Sequence, residues 1–395
     1  MIMGISNGFL LRPFTTGDTP DAFISEVESV VAEEYVGSMA LLLIEDGQAK
    51  ASFFHSQDNS VTENTVFHMA SISKWVSAWG VFKLIQDGKV DLDAPVDSYL
   101  TRWNLPNSDF DNSKVTIRTL LSHTSGLIDD LGYAGFGAGE RIQTIEESLT
   151  QAADAPWSEG RAVVGLEPGS QYMYSGAAYT ILQLVIEETS GQSFQDYMTE
   201  TVFRPLEMHH STFVWSDSTS WDRATSFDID GNEAPYDTFT ALAAASLYTT
   251  VSDLALFVNA NLGQNKVLST TSLDQMYTPH AFVNEIGIHA LGPTIFARND
   301  AGVVIYGHDG YGDPAINTAA RINLETGDGI IVFETGHYDI ASSISDHWIF
   351  WKTGIADFVV IMANRNWLLT LLIAGYLTIL VGVYARMRRQ RSTRK

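Results

Sequence analysis

The hydrophobic and polar positions along the chain fall into segments with helical or strand-like spacing. Residues 21–35 carry apolar side chains at helical intervals and predict a helix. Residues 38–44 and 51–55 flank Asp46-Gly47, so we expect a β-hairpin there. A long apolar run at helical spacing then extends from residue 71 to Gly88, where the helix is expected to end.

The pattern changes between about residue 94 and about residue 235, where helical segments alternate with turns and loops. Residues 114–127 predict a helix closed by Gly126. Residues 177–189 predict an amphipathic helix that ends at Gly191. We therefore interpret this region as a mostly helical insert.

Strand-like segments return after the insert, following a helix predicted at residues 252–262. Short apolar runs separated by glycines predict strands at residues 286–296, 303–307, 315–322 and 329–333. Two α/β portions around a helical insert indicate the α/β (α+β) class, with an antiparallel sheet flanked by helices.

The C-terminal pattern is that of a membrane span followed by a basic tail. Residues 367–384 contain no charge and have aromatic residues at both ends, so we predict a transmembrane helix at 367–385. The positive-inside rule places the tail, residues 386–395, in the cytoplasm and the body in the periplasm or cell exterior. Residues 1–20 hold only a short apolar patch, too short for a signal-peptide core, so the export route stays open and a tail-anchored cytosolic protein is the alternative.

The remaining apolar stretch before the span is residues 344–362, which is apolar on one side but contains charges. We expect a terminal or juxtamembrane helix there, at about 346–366, and not a second span.

The charge of the chain narrows the possible partners. The net charge is -24, and six of the 23 basic residues lie in the last ten positions. The first 385 residues therefore carry 17 basic and 47 acidic side chains, a net of -30. Such a surface argues against nucleic-acid binding. The absence of cysteine excludes disulfides, thiol catalysis and cysteine metal sites.

The candidate chemistry begins at the helix that starts near residue 71. Ser71 and Lys74 are three residues apart, which places them on one helical face. A desolvated lysine could accept the proton of a nucleophilic serine. The same spacing recurs by chance at Ser392 and Lys395, in the basic tail.

Two further motifs follow in order: Tyr174-Ser175-Gly176 after a turn, and His308-Asp309-Gly310 at the end of a predicted strand. Together with the Ser71/Lys74 pair they resemble the serine β-lactamase and penicillin-binding-protein superfamily, especially its branch of class C β-lactamases, D-alanyl-D-alanine carboxypeptidases and family VIII esterases. Other matching stretches are KLIQDGKVDLDAPVDSYL, LLSHTSGL, EPGSQYMYS and SLYTTVSDLALF. The resemblance spans roughly residues 20 to 345.

This resemblance implies a β-lactamase/transpeptidase-like fold over residues 21–345 and catalysis through an acyl-enzyme. Ser71 would be the nucleophile, with Lys74 and Tyr174 as alternative bases. The backbone N–H groups of Ser71 and Tyr311 would stabilise the oxyanion, beside Gly310. His308 would line the cleft opposite Tyr174, donate to a substrate carboxylate or carbonyl, and change charge between pH 5 and 8. No metal or organic cofactor is implied.

Two departures from the family pattern bear on the substrate. Gly176 stands where an asparagine often contacts the acyl side chain, and His308 replaces a lysine. Both changes favour ester or peptide hydrolysis over β-lactam cleavage. The open alternatives are a D-amino-acid-specific peptidase or carboxypeptidase, a weak β-lactamase, and a catalytically silent sensor or binding protein of the same fold. The substrate would be a small ester, amide or peptide.

Three other matches are interpreted as non-catalytic. Lys352-Thr353-Gly354 reproduces the third motif but has no strands after it. Ser122-His123 is expected to hold the insert together. His209-His210 lacks a partner at metal-ligand spacing.

Overall fold

The computed structural model describes residues 13–34, 37–58, 60–129, 132–216, 218–263, 265–298, 302, 304–356 and 365–392. Expectations for the beginning of the N-terminal segment, for residues 357–364 and for residues 393–395 lie outside the described residues.

The described residues form the predicted mixture of helices and strands. The helices are α1 Pro20–Glu34, α2 Ile72–Gln86, α3 Ile117–Leu121, α4 Ile145–Gln151, α5 Gly176–Ser190, α6 Phe194–Met198, α7 Leu242–Ala245, α8 Val251–Ala260, α9 Thr270–Tyr277, α10 Ile340–Thr353 and α11 Arg365–Ser392. The strands are β1 Ser38–Glu45, β2 Gln48–Ser56, β3 Phe67–His68, β4 Tyr248–Thr249, β5 Ala281–Val283, β6 Ile286–His289, β7 Thr294–Arg298, β8 Val304–Gly312, β9 Ile316–Asn323 and β10 Gly329–Thr335.

Eight of the described strands form one antiparallel sheet in the order β2-β1-β10-β9-β8-β7-β6-β5, and β3 pairs with β4 separately. Helices cover both faces of the large sheet, as the alternation along β1 shows. Leu42 packs into the core cluster that contains α2 and α5, whereas Leu41 and Leu43 pack into the cluster that contains α1 and α10. Successive side chains of a strand point to opposite faces, so β1 is buried on both sides. The architecture confirms the predicted fold class.

Helix α2 is the central helix of the body and is buried on nearly all sides. Trp75, Trp79 and Phe82 have no exposed surface. Trp79 Nε1 donates to Asn261 Oδ1 at 3.1 Å, and the Tyr197 hydroxyl donates to the backbone oxygen of Gly80 at 3.0 Å. Because a helix held from all sides cannot tilt, the residues at its N-terminus have a fixed position.

The prediction of a helix over residues 114–127 is wrong for most of that range. Only Ile117–Leu121 is helical, with a capping box between Thr116 and Thr119 at its start. The chain leaves the helix because His123 adopts a left-handed φ of 57°, and its carbonyl then accepts a hydrogen bond from Met173 at 2.8 Å. The remaining residues form a loop against the segment that precedes α5.

The strand predicted at residues 286–296 is also wrong in its length. It is two strands, β6 and β7, joined by a turn in which Ala290 N–H donates to Pro293 at 2.9 Å. Strand β8 is longer than predicted and ends at Gly312. The His308-Asp309-Gly310 motif therefore lies within a strand and not at its end.

Of the two helices predicted near the C-terminus, one has different bounds in the structure and the other is present as expected. The helix expected at 346–366 begins at Ile340 and ends at Thr353, where Gly354 adopts the left-handed conformation. It belongs to the body, because Ile344 and Trp348 are buried against the sheet. Within α11, Leu369–Met387 is long and apolar enough to cross a membrane, and none of it is buried in the body.

Candidate active site

Ser71 lies at the junction between strand β3 and helix α2. The preceding residue, Ala70, has a left-handed φ of 45°, a strained conformation for a residue with a Cβ. Neighbouring segments hold this bend: Met69 N–H donates to Leu247 at 2.7 Å, and Lys74 N–H donates to the Ser71 carbonyl at 3.0 Å. The bend turns the chain abruptly into α2 and leaves the serine half-buried at its start.

Lys74 reaches back one turn of α2 towards this serine. Its Nζ donates to Ser71 Oγ at 3.0 Å and to the carbonyl of Ala244 at 2.7 Å. The side chain is 2% exposed, and burial lowers the pKa of Lys74 to about 7, although the charge of Asp129 opposes this shift. A large fraction of the amine is therefore neutral near pH 7, and a neutral amine can accept the serine proton.

Tyr174 approaches Ser71 from the other side, as the residue before the N-cap of α5. Its hydroxyl hydrogen-bonds to Ser71, and Lys74 Nζ lies 5.0 Å from the centre of its ring. Burial raises the pKa of Tyr174 above its ordinary value. A phenolate is therefore costly at this position, so the electrostatics favour Lys74 as the base and a protonated Tyr174 as a donor.

Two residues whose site roles were not predicted hold Tyr174 in place. The His123 ring lies 4.3 Å from the Tyr174 ring, and its Nδ1 accepts the Ser175 N–H at 3.0 Å. Asp129 Oδ2 accepts the Ala177 N–H at 2.8 Å. His123 was expected only to hold the insert together. Its place in the LLSHTSGL stretch was a signal for importance, but nothing local linked it to Tyr174.

The third motif closes the site from the side of β8. Strand β7 pairs with β8 only as far as Gly307, so the rest of β8 keeps β9 as its partner and leaves its other edge towards Ser71. At Gly310 a Cβ would lie 2.3 Å from the Met69 carbonyl oxygen. Glycine therefore permits the close approach of the two backbones. Tyr311 follows with a half-exposed side chain, and its N–H is the predicted second oxyanion donor.

His308 differs from what the family resemblance implies. Its Nδ1 donates to the Asp309 carbonyl at 2.6 Å, which leaves Nε2 as an acceptor and not a donor. The residue is buried, and burial together with the nearby Lys74 holds the pKa of His308 well below 6.5. Burial therefore opposes the expected change of charge between pH 5 and 8, because it favours the neutral ring. His308 remains opposite Tyr174, with 6.3 Å between ring centres.

A buried ion pair supports the motif strand from behind. Arg321 on β9 is fully buried, and its Nη1 donates to Asp309 Oδ1 at 2.6 Å. The guanidinium carbon lies 3.3 Å from the centre of the Phe296 ring. Because removing one partner of such a pair leaves a buried charge, this contact fixes the middle residue of the motif.

Three other candidates, Gly176, Lys352 and Ser122, do not serve as proton donors or bases in the site. Gly176 is buried as the first residue of α5, one position beyond the N-cap Ser175. Lys352 Nζ pairs with Glu45 Oε1 at 2.5 Å and lies 3.5 Å from Asp328 Oδ2, at the end of α10. The Ser122 hydroxyl donates to the Arg118 carbonyl at 2.8 Å.

Comparison with known proteins agrees with this geometry. The sequence pattern of the Beta-lactamase family matches residues 23–350. The chain belongs to this family. Protein flp of Staphylococcus aureus (strain MRSA252) is 22% identical over 345 residues, which cover 84% of this chain and 66% of that protein. The match thus spans just under two thirds of the relative's length.

Solved structures share the fold over most of the chain. The octameric penicillin-binding protein homologue from Pyrococcus abyssi has a TM-score of 0.71 and 25% identity, with 85% of this chain and 77% of that chain covered. D-amino acid amidase from Ochrobactrum anthropi SV3, complexed with D-phenylalanine, has a TM-score of 0.65 and 22% identity, with 85% and 99% covered.

The close packing at Gly310 predicts a strong effect of a single methyl group. Gly310→Ala should lower the rate of Ser71 labelling by a fluorophosphonate at least tenfold, because the Cβ would overlap the Met69 carbonyl and displace the bend at Ala70. Gly312→Ala is the matched control, since its Cβ meets its nearest neighbour at 3.7 Å. Equal labelling rates for the two variants would contradict this account.

The lowered pKa of Lys74 predicts a pH dependence. The neutral amine is the active form, so the acylation rate should rise as the pH increases through about 7 and then level off. The measurement is the rate constant for fluorophosphonate labelling between pH 5 and 9. Lys74→Met should abolish the transition. A wild-type midpoint above pH 9 would rule out Lys74 as the base.

Proposed function

We propose that the protein hydrolyses a small ester or amide through an acyl-enzyme on Ser71. The Ser71 oxygen attacks the carbonyl carbon while its proton passes to neutral Lys74. The leaving group departs with a proton delivered through Tyr174. Water then attacks the acyl carbon and gives a proton to Lys74, and the Ser71 oxygen leaves and takes this proton from the lysine.

The observation that carries this proposal is the hydrogen bond between Lys74 and Ser71. A buried lysine that donates to a serine hydroxyl, with a pKa lowered to about 7, is costly to maintain for structural reasons alone. The family's members and structural neighbours with hydrolase names support the same reaction class. A silent binding protein would need neither the lysine nor the tyrosine.

The site's charges favour neutral esters and amides over β-lactams. A β-lactam carboxylate requires a cation near the nucleophile, but the third motif supplies a neutral histidine with an acceptor nitrogen. Gly176 has no side chain to contact an acyl amide. The absence of a charge-assisted contact weakens binding by about 1.5–3 kcal/mol.

Amide hydrolysis at a D-amino acid is the second candidate. It is favoured by the similarity to D-amino acid amidase, whose structure with D-phenylalanine covers 85% of this chain. Both candidates use the same acyl-enzyme. They differ in the acyl group that the cleft accepts.

A labelling experiment tests the reaction class. The purified protein is treated with a fluorophosphonate and with a fluorescent penicillin, and the adduct is mapped. We expect the fluorophosphonate to modify Ser71 and the penicillin to react at least tenfold more slowly, for the charge reason above. Ser71→Ala should abolish labelling. Ser29→Ala, which changes an exposed serine of α1, should leave labelling unchanged.

Labelling of the Ser71→Ala protein at the same rate as wild type would sink the proposal. Rapid, stable penicillin labelling would instead favour a peptidase of the penicillin-binding type.

We also propose that α11 anchors the body to a membrane. Leu369–Met387 suits a span by length and composition, and the basic tail follows it. The tail would lie in the cytoplasm and the body outside.

Removal of residues 357–395 tests the anchor. The shortened protein should stay in the soluble fraction and hydrolyse p-nitrophenyl esters at the wild-type rate, because none of Leu369–Met387 is buried in the body. A reporter fused after Lys395 should be active in the cytoplasm. A soluble full-length protein, or a periplasmic reporter, would contradict the proposed topology.

A further inference from the structure

A second cleft lies beside the segment that leads into Ser71. Its volume is about 860 Å³, and its walls include residues from the loop before α4 and from the stretch 236–248. None of Lys74, Tyr174 and His308 lines it. The cleft is therefore distinct from the proposed proton-transfer groups, yet it adjoins the same backbone.

Backbone pairing fixes the direction of this cleft relative to Ser71. Three alternate residues of the extended segment before Ser71 each pair with a residue of the cleft wall. Ala70 pairs with Ser246, His68 with Tyr248 and Val66 with Arg223. An extended chain rises about 3.3 Å per residue, so the Arg223 end lies roughly 16 Å along the segment from Ser71.

The far end of the cleft holds a cation that is arranged for recognition. The guanidinium carbon of Arg223 lies 4.5 Å from the ring centres of both Trp215 and Tyr236. Among the residues that the structure describes, no carboxylate forms an ion pair with Arg223. The two rings cover part of the guanidinium, and its N–H groups match the two oxygens of a carboxylate.

The described acidic side chains that line the cleft form no ion pair with Arg223. Glu146 and Glu187 pair with Arg102 instead. Burial and the charges of Glu140 and Asp313 raise the pKa of Asp237, which disfavours its charged form. Asp313 directly follows strand β8, which carries the third motif, and its charge acts on Asp237 in the cleft wall.

The position of the proton donor indicates which part of the substrate enters the cleft. The leaving group must depart near Tyr174, which delivers its proton, and Tyr174 does not line the cleft. The portion that stays on Ser71 as the acyl group therefore extends past Ser246 towards Arg223.

We propose that this cleft binds an extended acyl chain that ends in a carboxylate, with Arg223 holding the carboxylate away from the scissile carbonyl, since the backbone of Arg223 pairs with Val66 and not with the residues next to Ser71. This assignment rests on the proposed acyl-enzyme reaction and names its substrate class. The first 385 residues carry a net charge of -30, so Arg223 is a local positive charge in an acidic protein. It selects a carboxylate as the end group of the acyl chain.

A chain-length series tests the assignment. The substrates are p-nitrophenyl half-esters of linear dicarboxylic acids, each compared with the neutral p-nitrophenyl ester of the same chain length. Short half-esters should show no advantage over their neutral partners. Half-esters long enough to reach Arg223 should show a KM about tenfold lower, with kcat unchanged.

Arg223→Met should abolish the advantage of the long half-esters over the neutral esters of the same length. Lys266→Met is the matched control, because it removes an exposed cation that pairs only loosely with Glu207, at 3.6 Å. Equal KM values for charged and neutral esters at every length in the wild type would overturn the assignment, as would an advantage that survives in Arg223→Met.

Direct binding separates this assignment from the proposed reaction. Calorimetry with a long linear dicarboxylic acid and the Ser71→Ala protein needs no turnover. Binding that weakens about tenfold on adding Arg223→Met supports the cleft assignment even if no ester is hydrolysed. Hydrolysis of neutral esters by Ser71 without such binding upholds the reaction and overturns the cleft assignment.

Discussion

The buried amine of Lys74 is the constraint on which the rest of the site depends. An amine removed from water is stable only where acceptors replace its hydration, and here the Ser71 hydroxyl and the Ala244 carbonyl do so. The second contact requires the 236–248 stretch to lie against α2. That stretch also supplies the Leu247 carbonyl that holds Met69 and the Ser246 backbone that pairs with Ala70. One desolvated group thus depends on two chain segments that are distant in sequence, the turn into α2 and the 236–248 stretch.

Close backbone approach is the second physical requirement, and it explains why the site combines a strained residue with a glycine. Ala70 bends the chain into α2, and the resulting Met69 carbonyl accepts a hydrogen bond from Thr318 Oγ1 at 2.9 Å. The adjacent β8 can come this near only without a side chain at Gly310. The buried Arg321 and its partner Asp309 then prevent β8 from moving away. Strain at Ala70 is therefore balanced by tertiary contacts on both sides of the bend.

The sequence predicted the features that depend on local pattern. The periodicity of apolar side chains predicted helix α2 and the hairpin β1–β2, the uncharged apolar run predicted the long helix α11, and the three motifs predicted which segments meet. The helix at 114–127 was overestimated because the left-handed turn at His123 depends on the distant Met173. The neutrality of His308 also depends on long-range contacts, since burial and Lys74 set its pKa. The contacts of Arg223 with the Trp215 and Tyr236 rings have no periodic signal in the sequence.

The placement of charge has a consequence for what the enzyme can recognise. A lysine in the third motif would place a permanent cation beside the nucleophile, where it would bind a carboxylate close to the scissile bond. This chain has a neutral histidine there, and the nearby amine of Lys74 is only partly charged around pH 7. Among the described residues, the cation that borders the adjoining cleft without an ion pair is instead Arg223, whose backbone pairs with Val66 in the segment before Ser71. A carboxylate next to the scissile bond therefore has no cationic partner in the third motif, whereas one at the end of a long acyl group does. Recognition of the substrate's carboxylate is thus separated in space from bond cleavage. The site therefore selects acyl groups by their length.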